Sequence, residues 1–455
     1  MRNNEGKISR REFMEGAGAA VAAFTVVPRH VLGGAEQKPP SEKLNIAGIG
    51  IGGQGAEDLR QFESENIVAL CDVDEEYAAH TFRRYPQAKI YKDYREMLEK
   101  QKDIEACVIA TPDHIHAPAT MAALKAGKHV YCEKPLTHTI YEARRVAEAA
   151  REAKVATQMG NQGQGFEGPR LLCEWLDDGA IGKVREVHVW TYRPAGMWPQ
   201  GVERPSDTPP VPPTLDWDLW LGPAPYRPYH PDYVPFKWRG RYDFGTGTLG
   251  DMGSHNLAPV FVALKLEYPT SVEAVSTEMT ADTFPVASMV RYEFPARGKR
   301  PSVKVTWYDG GLLPFKPDEL EEGRQLPWED GIVFVGDKGK LVAEGWGAQS
   351  VRLIPEKRMK EYKKPPKTLP RSIGHYKEWV RACKEGTPTG SNFEFARLVT
   401  ETCLLGNIAI RTGKKRSMGE ALIRAKLMWD GPNMKFTNAP EANEYVQKQY
   451  RQGWT

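Results

Sequence analysis

The apolar positions fall into two regimes. Up to about residue 165, short apolar runs alternate with helical stretches. Residues 44–49, 67–71, 104–110, 129–132 and 155–159 read as strands, with helical patterns opening at 56–62 and running over 116–126. That alternation predicts a parallel sheet with crossover helices. After Gly182 the period shortens to two. Residues 184–192, 271–279, 287–294, 302–307, 332–335, 341–344 and 351–354 read as strands of a largely antiparallel open sheet. Helical stretches at 376–384, 393–411 and 418–429 follow, and 371–430 is expected to pack partly back on the first domain. The predicted division is 43–165, 166–430 and a tail at 431–455. Trp190, Tyr192, Trp307 and Tyr308 depart from the alternation of a solvated face, so one face of the second sheet is expected to cover the first domain or a neighbouring subunit.

Ahead of these domains, Arg10 and Arg11 precede a mildly apolar run over residues 16–27, too short to span a bilayer. The arrangement resembles a twin-arginine export signal, with cleavage expected after Ala35. It predicts an exported, periplasmic protein with no stable membrane insertion once the signal is removed. Composition adds little. The 455-residue chain carries +3, and taking away the five basic and three acidic residues of 1–35 leaves +1, so nucleic acid is not an expected partner. Six cysteines show no metal or redox spacing.

The first strand runs into Gly50-Ile51-Gly52-Gly53-Gln54-Gly55, a G-x-G-x-x-G turn opening a helix. Such a turn lets a helix N-terminus approach a pyrophosphate. The second strand ends at Asp72, 22 residues after Gly50, where a carboxylate accepts ribose hydroxyls and repels a 2′-phosphate. The pairing predicts a Rossmann domain holding NAD rather than NADP. Further strand ends present Thr111-Pro112 and Glu133-Lys134-Pro135, completing an expected cofactor set of Gly50, Gly52, Gly53, Gly55, Asp72, Thr111, Pro112, His116, Glu133 and Lys134. His114 and His116 have no third ligand in sequence, and no metal is expected.

Between the first strand of the second sheet and its first helix lies a proline-rich, aromatic passage over residues 194–238. Flat rings with neighbouring His230, Trp238, Arg239, Arg241 and Tyr242 suit a polyhydroxylated ligand, or equally a sealed interface. Asn161 and Gln162, after the fifth strand, join the expected substrate set. Next come Asp251 and His255, with a helix expected to start near Ser254, leaving Asp251 in its approach loop. A lysine, an aspartate and a histidine provide a base and a holder for an alkoxide during hydride transfer. Lys134, Asp251 and His255 are therefore the expected catalytic residues.

The stretches 50–55 (GIGGQG), 71–74 (CDVD), 110–118 (ATPDHIHAP), 126–136 (AGKHVYCEKPL) and 247–255 (GTLGDMGSH) resemble the glucose-fructose oxidoreductase / inositol dehydrogenase (Gfo/Idh/MocA) family. The resemblance implies a Rossmann domain followed by an α/β domain with an open sheet, often assembled as dimers or tetramers. It places Lys134 on the family's catalytic lysine, His255 on its usual proton acceptor and Asp72 on its ribose-binding acid. Pro259 stands where many relatives carry an acidic residue. The expected function is NAD-dependent oxidation or reduction of a sugar or polyol, with a tightly bound, recycled cofactor. The alternatives are a redox-neutral glycosidase or lyase working through a transient keto-sugar, and a non-catalytic carbohydrate-binding protein.

Overall fold

Residues 42–412, 414–415, 422–423 and 425–454 are described by the structure, a computed structural model. The arginine pair, the apolar run and the expected cleavage site lie outside the described residues. From Asn45 onward the chain forms one compact unit built around two sheets. The first contains β1 (Asn45–Ile49), β2 (Asn66–Cys71), β3 (Lys89–Tyr91), β4 (Ala106–Ile109), β5 (His129–Glu133) and β6 (Thr157–Gly160). Their spatial order is β3-β2-β1-β4-β5-β6, with every pair parallel. β4, entirely buried, reads as a continuous apolar run because helices cover both faces of such a sheet. The order reverses between β1 and β4, which opens a crevice at their C-terminal ends.

The second sheet has nine strands. These are β7 (Val184–Thr191), β8 (Ser271–Ser276), β9 (Ser288–Phe294), β10 (Val303–Tyr308), β11 (Asp330–Gly336), β12 (Gly339–Glu344) and β13 (Ser350–Ile354), then, after the short β14 (Lys414–Lys415) and β15 (Leu422–Ile423) pair, β16 (Leu427–Asp430) and β17 (Lys435–Phe436). Only β7 and β10 pair in parallel. The expected helix at 418–429 is corrected in its described end: Leu427 and Met428 pair with Val272 and Ser271, so an apolar segment extends the sheet. Trp190 is also explained differently from expectation. It packs with Leu320, Leu326, Val333, Val342 and Ile354, so the chain's own loop between β10 and β11 covers it.

The Phe393–Arg411 helix joins the two sheets. Its Phe393 and Ala396 enter the core of the parallel sheet, while Val399, Cys403 and Leu405 enter that of the antiparallel one. Among the described residues no helix is long and apolar enough to cross a membrane.

Candidate active site

A cleft of about 390 Å³ opens at the crevice between β1 and β4. Its floor is the glycine turn. Gly50 has φ +76°, and a Cβ there would stand 2.7 Å from the Thr111 amide nitrogen. A Cβ on Gly55 would stand 2.1 Å from the Gly50 carbonyl oxygen, so glycine at 55 sets the close seating of the Gln54–Gln61 helix on the turn. Asp72 closes one end. Its carboxylate accepts from the backbone N–H of Ile51 at 2.7 Å and of Asp74 at 3.0 Å. Burial outweighs these bonds and pushes the carboxyl up to about 6.

At the other end Lys134 Nζ donates to Asp251 Oδ1 at 2.5 Å. Lys134 is delivered by the end of β5, and Asp251 by the Gly247–Asn256 helix. That helix begins two turns earlier than expected, so Asp251 and His255 lie one turn apart on one face. Arg193 Nη1 donates to Asp251 Oδ2 at 3.3 Å, and Arg239 Nε stands 3.6 Å from Oδ1. Burial alone would raise the Asp251 carboxyl, but Lys134, Arg239 and Arg193 outweigh it and hold the group well below the usual carboxylate range. Burial, reinforced by the Lys134 charge, keeps the His255 imidazole neutral at working pH. Its Nδ1 is buried without a hydrogen-bond partner among the described residues, and its ring meets Trp346 edge-on at 5.1 Å.

Of the expected cofactor set, Gly50, Gly52, Gly53, Asp72, Thr111, Pro112, His116, Glu133 and Lys134 line this cleft. His116 is also a staple, its ring flanked by the carbonyl oxygens of Pro135 and Thr111 at 2.7 and 2.9 Å. His114 likewise sits between the carbonyls of Phe244 and Trp220, so both rings are engaged by backbone. Of the expected substrate set only Trp238 and Arg239 reach the cleft. The structure places the others elsewhere. Arg241 is buried in an ion pair with Asp282, and His230 pairs with Asp207. Tyr242 packs on Phe284 beside a separate cavity. Asn161 bonds Ser254 and Ser391 in the interior. Gln162 Nε2 donates to Glu133, Tyr131 and Tyr376.

Cleft residues missing from the sequence reading include Tyr77, Asp113, Trp220, Phe236 and Trp454. Tyr77 lies against Gly52 and Gly53, and Trp454 reaches the cleft from far along the chain. A helical position for Tyr77 after the Asp72 strand was the one available signal; Trp454 carried none.

Behind the cleft, Asp58 accepts from Gln54 Nε2 and Tyr376 Oη at 3.0 and 2.9 Å. Burial pushes Asp58 up to about 7; burial and the Asp58 charge push Glu133 well above the carboxylate range. A raised carboxyl keeps its proton in the folded state after the unfolded chain has lost it near ~3.9. The stabilisation is therefore full below that value and fades as pH rises towards 7. Asp58→Asn is expected to flatten the fall in melting temperature between pH 4 and 7 by a few degrees. An unchanged slope, read by thermal melts across that range, would exclude this role for Asp58.

Two family signatures match the chain. An oxidoreductase family NAD-binding Rossmann fold covers residues 44–161, and the corresponding C-terminal alpha/beta domain covers 189–298. The chain belongs to the Gfo/Idh/MocA oxidoreductase family. It is 34% identical to inositol 2-dehydrogenase of Salmonella typhimurium over 146 residues, 31% of this chain and 43% of that protein. The chain thus spans less than half the length of that curated relative. Among solved structures it is similar to aldose-aldose oxidoreductase from Caulobacter crescentus complexed with glycerol (TM-score 0.55, 18% identity, 82% of this chain and 98% of that one). It is also similar to levoglucosan dehydrogenase in complex with NADH and levoglucosan (TM-score 0.53, 18% identity, 80% and 95%). At these identities the likeness shows the fold.

The cleft fits the family's dinucleotide. The glycine turn leaves no room for side chains, Asp72 offers a buried acceptor pair, and Thr111 Oγ1 is buried without a hydrogen-bond partner among the described residues. Gly50, Gly52, Gly53, Asp72 and Thr111 would hold it. Lys92, which also lines the adenosine end, is paired with Glu75 at 2.8 Å, so it does not offset the Asp72 charge that disfavours a 2′-phosphate.

Proposed function

We propose that this protein is an NAD-dependent oxidoreductase acting on a carbinol carbon of a sugar or polyol. The reading is carried by the Lys134–Asp251 pair at the opposite end of the cleft from Asp72. Bound NAD supplies a hydride acceptor for that carbon. Lys134 Nζ holds the substrate oxygen as it gains alkoxide character, and Asp251 keeps the ammonium oriented. His255 is neutral and takes the hydroxyl proton; with Nδ1 sealed, the proton is assigned to Nε2. In the reverse direction the same nitrogen returns it.

Export of the protein, read from residues 1–35, is retained as part of the proposal. It favours a cofactor recycled in place, and with it the redox-neutral route through a transient keto-sugar as the second reading. Self-association as a homodimer or homotetramer also belongs to the proposal. It is supported by Leu312, Leu313, Phe315 and Trp328, which stand exposed on the β10–β11 loop.

The test is mass spectrometry of small molecules released on denaturing the purified protein, followed by incubation with sugar and glycoside panels at 340 nm. NAD is the expected release. Asp72→Ala should bind it about tenfold more weakly or worse, because hydrogen bonds to a charged acceptor are lost. Product from a glycoside without accumulated NADH would select the redox-neutral route. Absence of bound dinucleotide together with no response to added NAD would defeat the proposal.

A further inference from the structure

The charges at the substrate end do not balance. Lys134, Arg193 and Arg239 converge on one carboxylate, Asp251, at 2.5, 3.3 and 3.6 Å. Among the described residues none of the three has a second carboxylate within ion-pairing distance. A second carboxylate ringed by three cations, Asp282, contrasts with Asp251. There Arg204, Arg227 and Arg241 meet Asp282, but Arg227 also pairs with Asp243 and Arg204 is half exposed. Around Asp251 neither outlet exists: the side chains of Lys134 and Arg239, which line the cleft, and of Arg193, which reaches Asp251 from beside it, are only 14%, 20% and 29% exposed. Arg193 Nε is buried without a hydrogen-bond partner among the described residues. Arg239 lies over the rings of Phe236 and Trp238, which fixes the plane of its guanidinium. Asp113 and Glu133 also line the cleft, but burial pushes Asp113 up to about 7 and Glu133 well above the carboxylate range, so neither supplies a full counter-charge near neutral pH.

Resting on the sugar-oxidoreductase reading, we infer that the substrate is an acidic sugar whose anionic group is bound by Arg193 and Arg239. Planar guanidinium groups present paired donors to a carboxylate, sulfate or phosphate oxygen pair, while a neutral polyol leaves both under-neutralised. Arg239 also lines the cleft together with Tyr77 and the glycine turn and so has a second claim, on the cofactor's pyrophosphate. Arg193 has no such claim and carries the test.

The experiment is calorimetric titration of the NAD-loaded protein with matched pairs: glucose and glucuronate, galactose and galacturonate, mannose and mannuronate. Glucose 6-sulfate and glucose 6-phosphate form separate arms that tell the anion sources apart. At least one acidic sugar is expected to bind about tenfold or more tighter than its neutral partner. That ratio should approach one in Arg193→Gln and be partly kept in Arg193→Lys. Neutral sugars binding as tightly as their acids, no binding by any acid, or a ratio that survives Arg193→Gln would each overturn the inference. If Arg193→Gln fails to fold, the wild-type pairs still decide it. Dinucleotide binding on the same samples separates the two readings. NAD binding with neutral-sugar preference leaves the oxidoreductase standing and removes only the acidic substrate.

Discussion

Lys134→Met is expected to lower turnover about a thousandfold, within the range for losing a positioned proton-transfer or oxyanion-holding group. The Met side chain reaches about as far but offers no donor. Asp251 then keeps Arg193 and Arg239 as partners, so its charge is not orphaned. For that reason the stability cost should be well below the ~3–5 kcal/mol typical of breaking a buried pair outright. Steady-state rates at 340 nm, paired with thermal melts and dinucleotide titration, read all three quantities. Full turnover with normal cofactor binding would make the Lys134–Asp251 pair a structural contact.

The second large effect is on stability. Asp282 accepts from Arg227 Nη1 at 2.9 Å and also from Arg241 and Arg204, and both Arg227 and Arg241 are almost wholly buried. Asp282→Ala leaves the buried Arg241 without a carboxylate partner among the described residues and Arg227 with Asp243 alone, at a cost of about 3–5 kcal/mol. The damage reaches the cleft through a short path. Arg227 and Arg241 stack on Tyr233, within the aromatic cluster that contains Trp220 and Trp238. Urea unfolding measures the loss, and Asp282→Asn should recover part of it by keeping an acceptor. An Asp282→Ala protein as stable as its parent would show that the arginines are solvated by another route.

The cofactor end was legible because its chemistry is local. A glycine turn, a strand and a terminal carboxylate sit within about thirty residues, and backbone geometry demands those residue types. The start of the Gly247–Asn256 helix was not legible. Gly247, Gly250 and Gly253 lower intrinsic helix propensity, so a later start seemed dictated. In the fold every residue of that helix is buried, and packing overrides the local preference. Gly253 and Gly406 mark the close approach of this helix to the Phe393–Arg411 helix: a Cβ on Gly253 would meet Cys403 Sγ, and one on Gly406 would meet Leu249.

The aromatic passage was legible as a pinned segment but not in its orientation. Composition shows that Arg239 and Arg241 are near rings; it does not show which of two residues spaced by one faces the cleft. Here Arg239 does, and Arg241 turns inward to Asp282. The same blindness applied to Trp454 and Arg193, whose roles depend on contacts far apart in sequence.

Asp251 and His255 hang from a single buried helix, so their separation is set by helical pitch rather than by any loop. Asn256, the next residue, ties that helix to Asp330 and to the Gly347 backbone. Asp251 and His255 are thus held on a rigid frame, while the passage over residues 193–239 brings Trp238 and Arg239 to the cleft from a buried aromatic cluster of its own. A designer wishing to change what this protein accepts has reason to vary the cleft-facing Trp238 and Arg239 and leave the helix alone.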